Sequence, residues 1–217
     1  MTSQRTRERM VQRLGDQGIR DLRVLDAMLQ VPRHLFIDEG FASRAYEDVA
    51  LPIAFNQTIS QPWVVARMTE VLLSALPDQA CVLEIGTGCG YQTAVLARLV
   101  RHVYSIERIA ALLERSRERL RSLRIGNTTL KCADGSHGWS QYAPFDGIIV
   151  TAAAPAVPEA LLRQLAVGGV LVVPEGSQEQ VLRVYRKSAK GMETAALDPV
   201  HFVPLLPGVD RKGVIRE

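Results

Sequence analysis

Apolar and polar positions fall into two regimes along the chain. Up to about residue 76, apolar residues recur at helical spacing. Residues 4–17 and 21–30 predict two helices, with Gly18 between them and Pro32 as a stop. Val24, Leu25, Met28 and Leu29 give the second helix an apolar face. Residues 33–60 show no period and carry several aromatic and polar side chains. Pro62 then opens a helix to about Leu76, with Val64, Met68, Val71, Leu72 and Ala75 on one side.

Beyond about residue 79 the pattern becomes short apolar runs alternating with helical segments. Residues 81–85, 103–106, 128–132, 147–151 and 170–174 read as strands, and 91–100, 109–123 and 158–165 as helices. This alternation predicts a mostly parallel sheet with helices on both faces. Residues 180–187 and 201–205 read as strands with no helix between them, which fits an antiparallel pair at the sheet edge. The expected organisation is one domain over 1–217: a helical extension and loop in 1–78, and the core with its last strands in 79–217.

A chain of 217 residues, 47% of them apolar, can bury a core of useful size as one domain. No apolar run approaches the roughly 18 residues of a spanning helix, so no membrane association is expected. The Arg-rich start has Glu8, Asp16 and Asp21 among its cations and no signal-type apolar stretch, so a cytoplasmic location is the default. A net charge of +3 is too mild to imply nucleic acid. The basic run 115–124 carries an interleaved Glu118 and an apolar stripe, as a solvated helix face does. Cys81, Cys89 and Cys132 form no CxxC pair and have no histidines at ligand spacing. They read as reduced, mostly buried thiols, and no metal site is expected.

The sharpest chemical feature is Glu84-Ile85-Gly86-Thr87-Gly88-Cys89-Gly90-Tyr91, between a strand and a helix. Glycines there permit a tight turn and close approach of a ligand, and such turns lie at the carboxyl end of the sheet, where α/β proteins bind ligands. A dinucleotide fingerprint requires G-x-G-x-x-G. Here the spacing is G-x-G-x-G, and Tyr91 stands where the last glycine would be. Glu84 disfavours a pyrophosphate and suits a ligand with an ammonium group, such as S-adenosylmethionine. Glu107, closing the next strand, can accept hydrogen bonds from ribose hydroxyls, which fits any adenosine ligand. Asp134, in Ala133-Asp134-Gly135, is either an acceptor for the adenine amino group or an ordinary Asp-Gly turn. Ser60, just before Gln61-Pro62, has the spacing of a helix N-cap.

Together these pieces resemble the Rossmann-like S-adenosylmethionine-dependent methyltransferases. Leu51-Pro52-Ile53, Gln57-Thr58-Ile59-Ser60-Gln61-Pro62 and Val65-Ala66-Arg67-Met68-Thr69-Glu70 are more narrowly similar to the protein-L-isoaspartate methyltransferases. So are the glycine segment through Thr93, the run Phe145-Asp146-Gly147-Ile148-Ile149-Val150-Thr151-Ala152-Ala153, Phe202-Val203-Pro204-Leu205, and Val31-Pro32-Arg33 with Phe36. The resemblance covers almost the whole chain. It implies methyl transfer to the free carboxylate of L-isoaspartyl residues in damaged proteins, beginning their repair through a succinimide, with no obligate protein partner. It implies Ser60 as the active-site serine, and a cofactor site at Thr58, Ile59, Glu84, Gly86, Gly88, Gly90, Glu107, Asp134 and Gly135. The chain departs from the family pattern at Ala54 and Ala133, where relatives commonly have Gly, and at His201, where they often have Arg. Other readings of the residues are a small-molecule methyltransferase of the same fold, a NAD-dependent oxidoreductase and a catalytically silent S-adenosylmethionine-binding protein.

Overall fold

The computed structural model describes residues 4–211. Two helices, α1 (Gln4–Asp16) and α2 (Leu22–Gln30), are followed by two short 3-10 turns and a small antiparallel hairpin, β1 (Leu51–Ile53) and β2 (Gln57–Ile59). Helix α3 (Pro62–Leu73) leads into the core: β3 (Cys81–Ile85), α4 (Tyr91–Leu96), β4 (His102–Glu107), α5 (Ala110–Ser122), β5 (Thr128–Cys132), β6 (Phe145–Val150), α6 (Glu159–Arg163), β7 (Leu165–Glu175), β8 (Gln180–Ser188) and β9 (Gly191–Val200).

The main sheet has seven strands in the order β5-β4-β3-β6-β7-β8-β9. The first five in that order are parallel, and β8 and β9 add antiparallel to the edge. Central strands lie under apolar layers on both faces, as parallel strands do. Val82, Val103, Ile149, Val170 and Val172 share one cluster with the N-terminal helices, including Met10, Leu14, Val24 and Met28. Leu83, Ile85, Ile106, Ile148 and Leu171 face a second cluster, closed by Trp139, Phe145 and Leu161. The carboxylate of Glu70, on α3, accepts the backbone N–H groups of Arg20 (2.6 Å) and Asp21 (2.8 Å), tying the entry of α2 to the core.

Two expectations change. The last edge strand is Gly191–Val200, not residues 201–205. Most of its residues are exposed, so the strand has no apolar alternation by which to be read. Residues 201–205 instead run extended across the carboxyl ends of the parallel strands. There Ala153 N–H donates to the carbonyl of Val203 (2.8 Å) and Leu205 N–H to that of Ala153 (2.7 Å). The thiols also differ from expectation: Cys89 is buried, Cys81 half-buried and Cys132 exposed.

Candidate active site

Strands β4 and β6 flank β3 on opposite sides, so the chain winds outward in both directions from this point. A crevice opens at such a place because successive connections leave on opposite faces. The turn after β3 forms its floor. Gly86, Gly88 and Gly90 take φ values of +97°, +54° and +88°, conformations that cost other residues energy. Gly86 also has no room for a side chain, since a Cβ would run into Oγ1 of Thr151. That hydroxyl donates to the carbonyls of Gly86 (2.7 Å) and Ile85 (3.0 Å), locking the turn to the end of β6.

The resulting cleft holds about 800 Å³ of empty space, part of it open to solvent. Gly86 and Gly88 form its base, Glu107 and Gly135 one side, Thr58, Ile59 and Ser60 another. Glu107 is 6% exposed; its two oxygens accept the N–H groups of Gly88 and Ile109, each at 2.9 Å. Burial pushes its carboxyl above the usual range, while those backbone N–H groups oppose the shift. At Gly135 a Cβ would collide with the Ile85 side chain.

Three of the residues expected at the site lie off the cleft wall. Glu84 is fully buried beneath the turn, where its Oε2 accepts the hydroxyls of Thr93 and Ser105, both at 2.5 Å. Parallel register sets Ser105 beside it on β4. Burial drives its pKa up to about 8, against the pull of the two hydroxyls, and the carboxyl supports the turn from beneath instead of lining the cleft. Gly90 caps α4 and packs against Ser116 and Leu120 of α5. Asp134 caps a 3-10 turn through Ser136 N–H (2.9 Å) and holds the C-terminal segment through Gly208 N–H (2.6 Å). Burial alone would raise its pKa, but these hydrogen bonds outweigh it and hold the carboxyl below its usual range.

A second groove of about 1020 Å³ adjoins the first. Trp63, Val64, Pro199 and Phe202 make most of it apolar, and among the described residues His201 is the only titratable side chain on its wall. Thr58, Ser60, Thr151 and Val203 line both spaces, so the groove and the cleft meet there. Thr151 and the strap residues 203–205 lie in runs that carry the family resemblance, but neither was assigned a site role from sequence. The one local signal was the position of Thr151 at the carboxyl end of a strand. Trp139 packs away from the site, against Tyr104 and Phe145.

The family model for protein-L-isoaspartate(D-aspartate) O-methyltransferase matches residues 4–210. The protein-L-isoaspartate O-methyltransferase 2 of Nitrosospira multiformis is 59% identical over 209 residues, which cover 96% of this chain and 99% of that one. The protein-L-isoaspartate O-methyltransferase of Halorhodospira halophila is 60% identical over 210 residues, covering 96% and 94%. A solved protein-L-isoaspartate O-methyltransferase superposes with a TM-score of 0.85 at 29% identity, over 94% of this chain and 67% of that one. A Plasmodium falciparum structure assigned to the same activity, in complex with S-adenosyl-L-homocysteine, gives 0.82 at 28% identity, over 92% and 98%. The seven-stranded sheet with its antiparallel edge is thus a Rossmann-like methyltransferase fold. On the match over residues 4–210 and these identities, the chain belongs to the protein-L-isoaspartate(D-aspartate) O-methyltransferase family.

Proposed function

We propose that this enzyme transfers a methyl group from S-adenosylmethionine to the free carboxylate of L-isoaspartyl residues in damaged proteins and peptides, the first step of repair through a succinimide. One observation carries the assignment of roles: the glycine-floored cleft and the open, mostly apolar groove meet at Thr58, Ser60, Thr151 and Val203. The cleft suits a nucleoside donor and the groove an extended polypeptide acceptor. Family membership supplies the chemistry of both.

The residues present fit the donor. Gly88 keeps open space on the cleft wall, where a Cβ would meet nothing nearer than the Gly86 carbonyl at 3.9 Å, and Glu107 presents a carboxylate within the same wall. When bound, S-adenosylmethionine supplies an electrophilic methyl group on a sulfonium. Gly86 and Gly88 let backbone approach the ligand, and Glu107 accepts from the ribose hydroxyls while Gly88 and Ile109 hold it in place. Gly135 borders the adenine end, and Asp134, behind the wall, holds the turn of Gly135 through Ser136 and the C-terminal segment through Gly208. Thr58 and Ile59 close the side toward the acceptor.

An isoaspartyl carboxylate, with a pKa near 4, is ionised at neutral pH and needs no general base. The four residues shared by cleft and groove include no titratable group, in keeping with this. The protein's task is alignment and exclusion of water. Ser60 orients the acceptor by donating its hydroxyl to the carboxylate. Charge is neutralised as carboxylate meets sulfonium, so the apolar wall of Trp63, Phe202 and Val203 favours the transition state over separated ions.

Transfer of labelled methyl to an L-isoaspartyl peptide, compared with its normal aspartyl twin, tests the proposal. The expected result is base-labile label on the isoaspartyl peptide alone. Label on the aspartyl twin, or donor binding without transfer to either peptide, would overturn it.

A further inference from the structure

Arg33 lines neither cleft nor groove, yet it touches the residues that shape both. It is fully buried. Its Nε donates to the carbonyl of Ala45 (2.8 Å) and its Nη2 to the carbonyl of Ser60 (2.7 Å). The guanidinium carbon lies 4.9 Å from the ring centre of Tyr91, the first residue of α4 and part of the cleft wall. Among the described residues Nη1 has no hydrogen-bond partner and Arg33 forms no ion pair with a carboxylate. Burial depresses the guanidinium below its usual range; Tyr91, Cys89 and Asp48 offset only part of that.

A buried cation without an ion-paired carboxylate is a poor way to stabilise a core, where an apolar side chain of similar volume commonly does better. What arginine offers here is geometry. Its donors are fixed in one plane, and that plane can both bond carbonyls at its edge and stack on an aromatic ring. At this position the edge holds the backbone of Ser60 and the face meets Tyr91, so one rigid group spans the acceptor loop and the donor wall.

We propose that Arg33 is a positioning residue for methyl transfer: it acts through Ser60, fixing that residue's backbone against the Tyr91 side of the donor cleft so that the acceptor carboxylate is presented in line with the methyl group. The inference rests on the methyltransferase function proposed above. It is tested by kcat and KM for an isoaspartyl peptide, together with calorimetric affinity for S-adenosylhomocysteine, in wild type, Arg33→Lys, Arg33→Gln, Ser60→Ala and the double variant Arg33→Lys with Ser60→Ala.

Both Arg33 variants are expected to lose about 10- to 100-fold in kcat, the scale of a small misalignment. Their peptide KM and S-adenosylhomocysteine affinity should each stay within about threefold of wild type, and Arg33→Lys should cost less than about threefold when Ser60 is already alanine. Wild-type kcat in Arg33→Lys, an undiminished loss in the Ser60→Ala background, or a loss matched by weaker S-adenosylhomocysteine binding would each overturn the proposal. So would failure of both Arg33 variants to yield protein that binds S-adenosylhomocysteine, which would make Arg33 a folding residue. A wild-type enzyme inactive on the isoaspartyl peptide would instead sink the underlying function, and the proposal with it.

Discussion

Oδ1 of Asp48 accepts the backbone N–H of Trp63 at 2.9 Å and so caps α3 from a loop outside the helix. Gln61, the residue at the N-cap, makes no capping bond with its side chain, which donates instead to Oδ2 of Asp48 at 3.5 Å. The capping duty that spacing alone suggested for Ser60 therefore falls to another residue. The Ser60 hydroxyl is left on the wall where cleft and groove meet.

Replacing Asp48 with alanine removes that cap and should cost about 1 kcal/mol. For a chain of this size the melting temperature should fall by about 2–4 °C. Thermal unfolding of Asp48→Ala against wild type measures it; an unchanged midpoint would mean that solvent satisfies the Trp63 N–H equally well.

Ser60→Ala, by contrast, should melt with wild type and bind S-adenosylhomocysteine as wild type does, while turnover on an isoaspartyl peptide falls by about 10-fold or more. That loss corresponds to one hydrogen bond to a charged group. Unfolding, calorimetry and initial rates on the same preparation separate these outcomes, and a Ser60→Ala enzyme of full activity would remove Ser60 from the mechanism.

Gly86→Ala meets two obstacles at once, a φ of +97° and the Thr151 hydroxyl. The backbone alone accounts for about 1–2 kcal/mol, and the collision displaces the turn that floors the cleft. Affinity for S-adenosylhomocysteine should drop by more than about 10-fold. Adding Thr151→Ala frees the space and should restore part of it, so strict additivity of the two changes would show that the collision is not the cause.

Glu84 gives a pH dependence of defined sign. Below about pH 4.5 its carboxyl is protonated in the folded and unfolded chain alike. From there to about pH 8 the unfolded chain releases the proton and the folded chain keeps it. Over that window stability contributed at this site falls as pH rises, and the slope ends above about pH 8. Glu84→Gln should remove the slope. Urea unfolding of the two proteins between about pH 5.5 and 8.5 reads the difference directly, and parallel curves would mean that Glu84 is ionised in the native state.

Much of the core was legible because its signals are local. Cys81–Ile85 and Thr128–Cys132 were read with their observed bounds, since an apolar run bounded by glycine or polar residues has few other places to go. The glycine turn and Glu107 were read from their positions at strand ends, while Gly135 came from the family resemblance; parallel strands bring all their carboxyl ends to one edge. Helix ends were less legible. Residues 91–100 begin as a helix, but α4 ends at Leu96 and turns carry the chain onward.

Residue order by itself determined the alternation of strand and helix, the glycine turn and the carboxylate after the next strand, because each depends on neighbours within a few positions. Tertiary structure decided the rest. Both faces of β3 are buried, so no alternation told which way Glu84 would point; strand register and α4 turned it beneath the loop. The polar β9 and the strap 203–206 acquire their places only by pairing with distant backbone. Asp48 capping Trp63 and Arg33 holding Ser60 are contacts across 15 and 27 positions of chain, and loops that long leave such partners unspecified until the core has set their geometry.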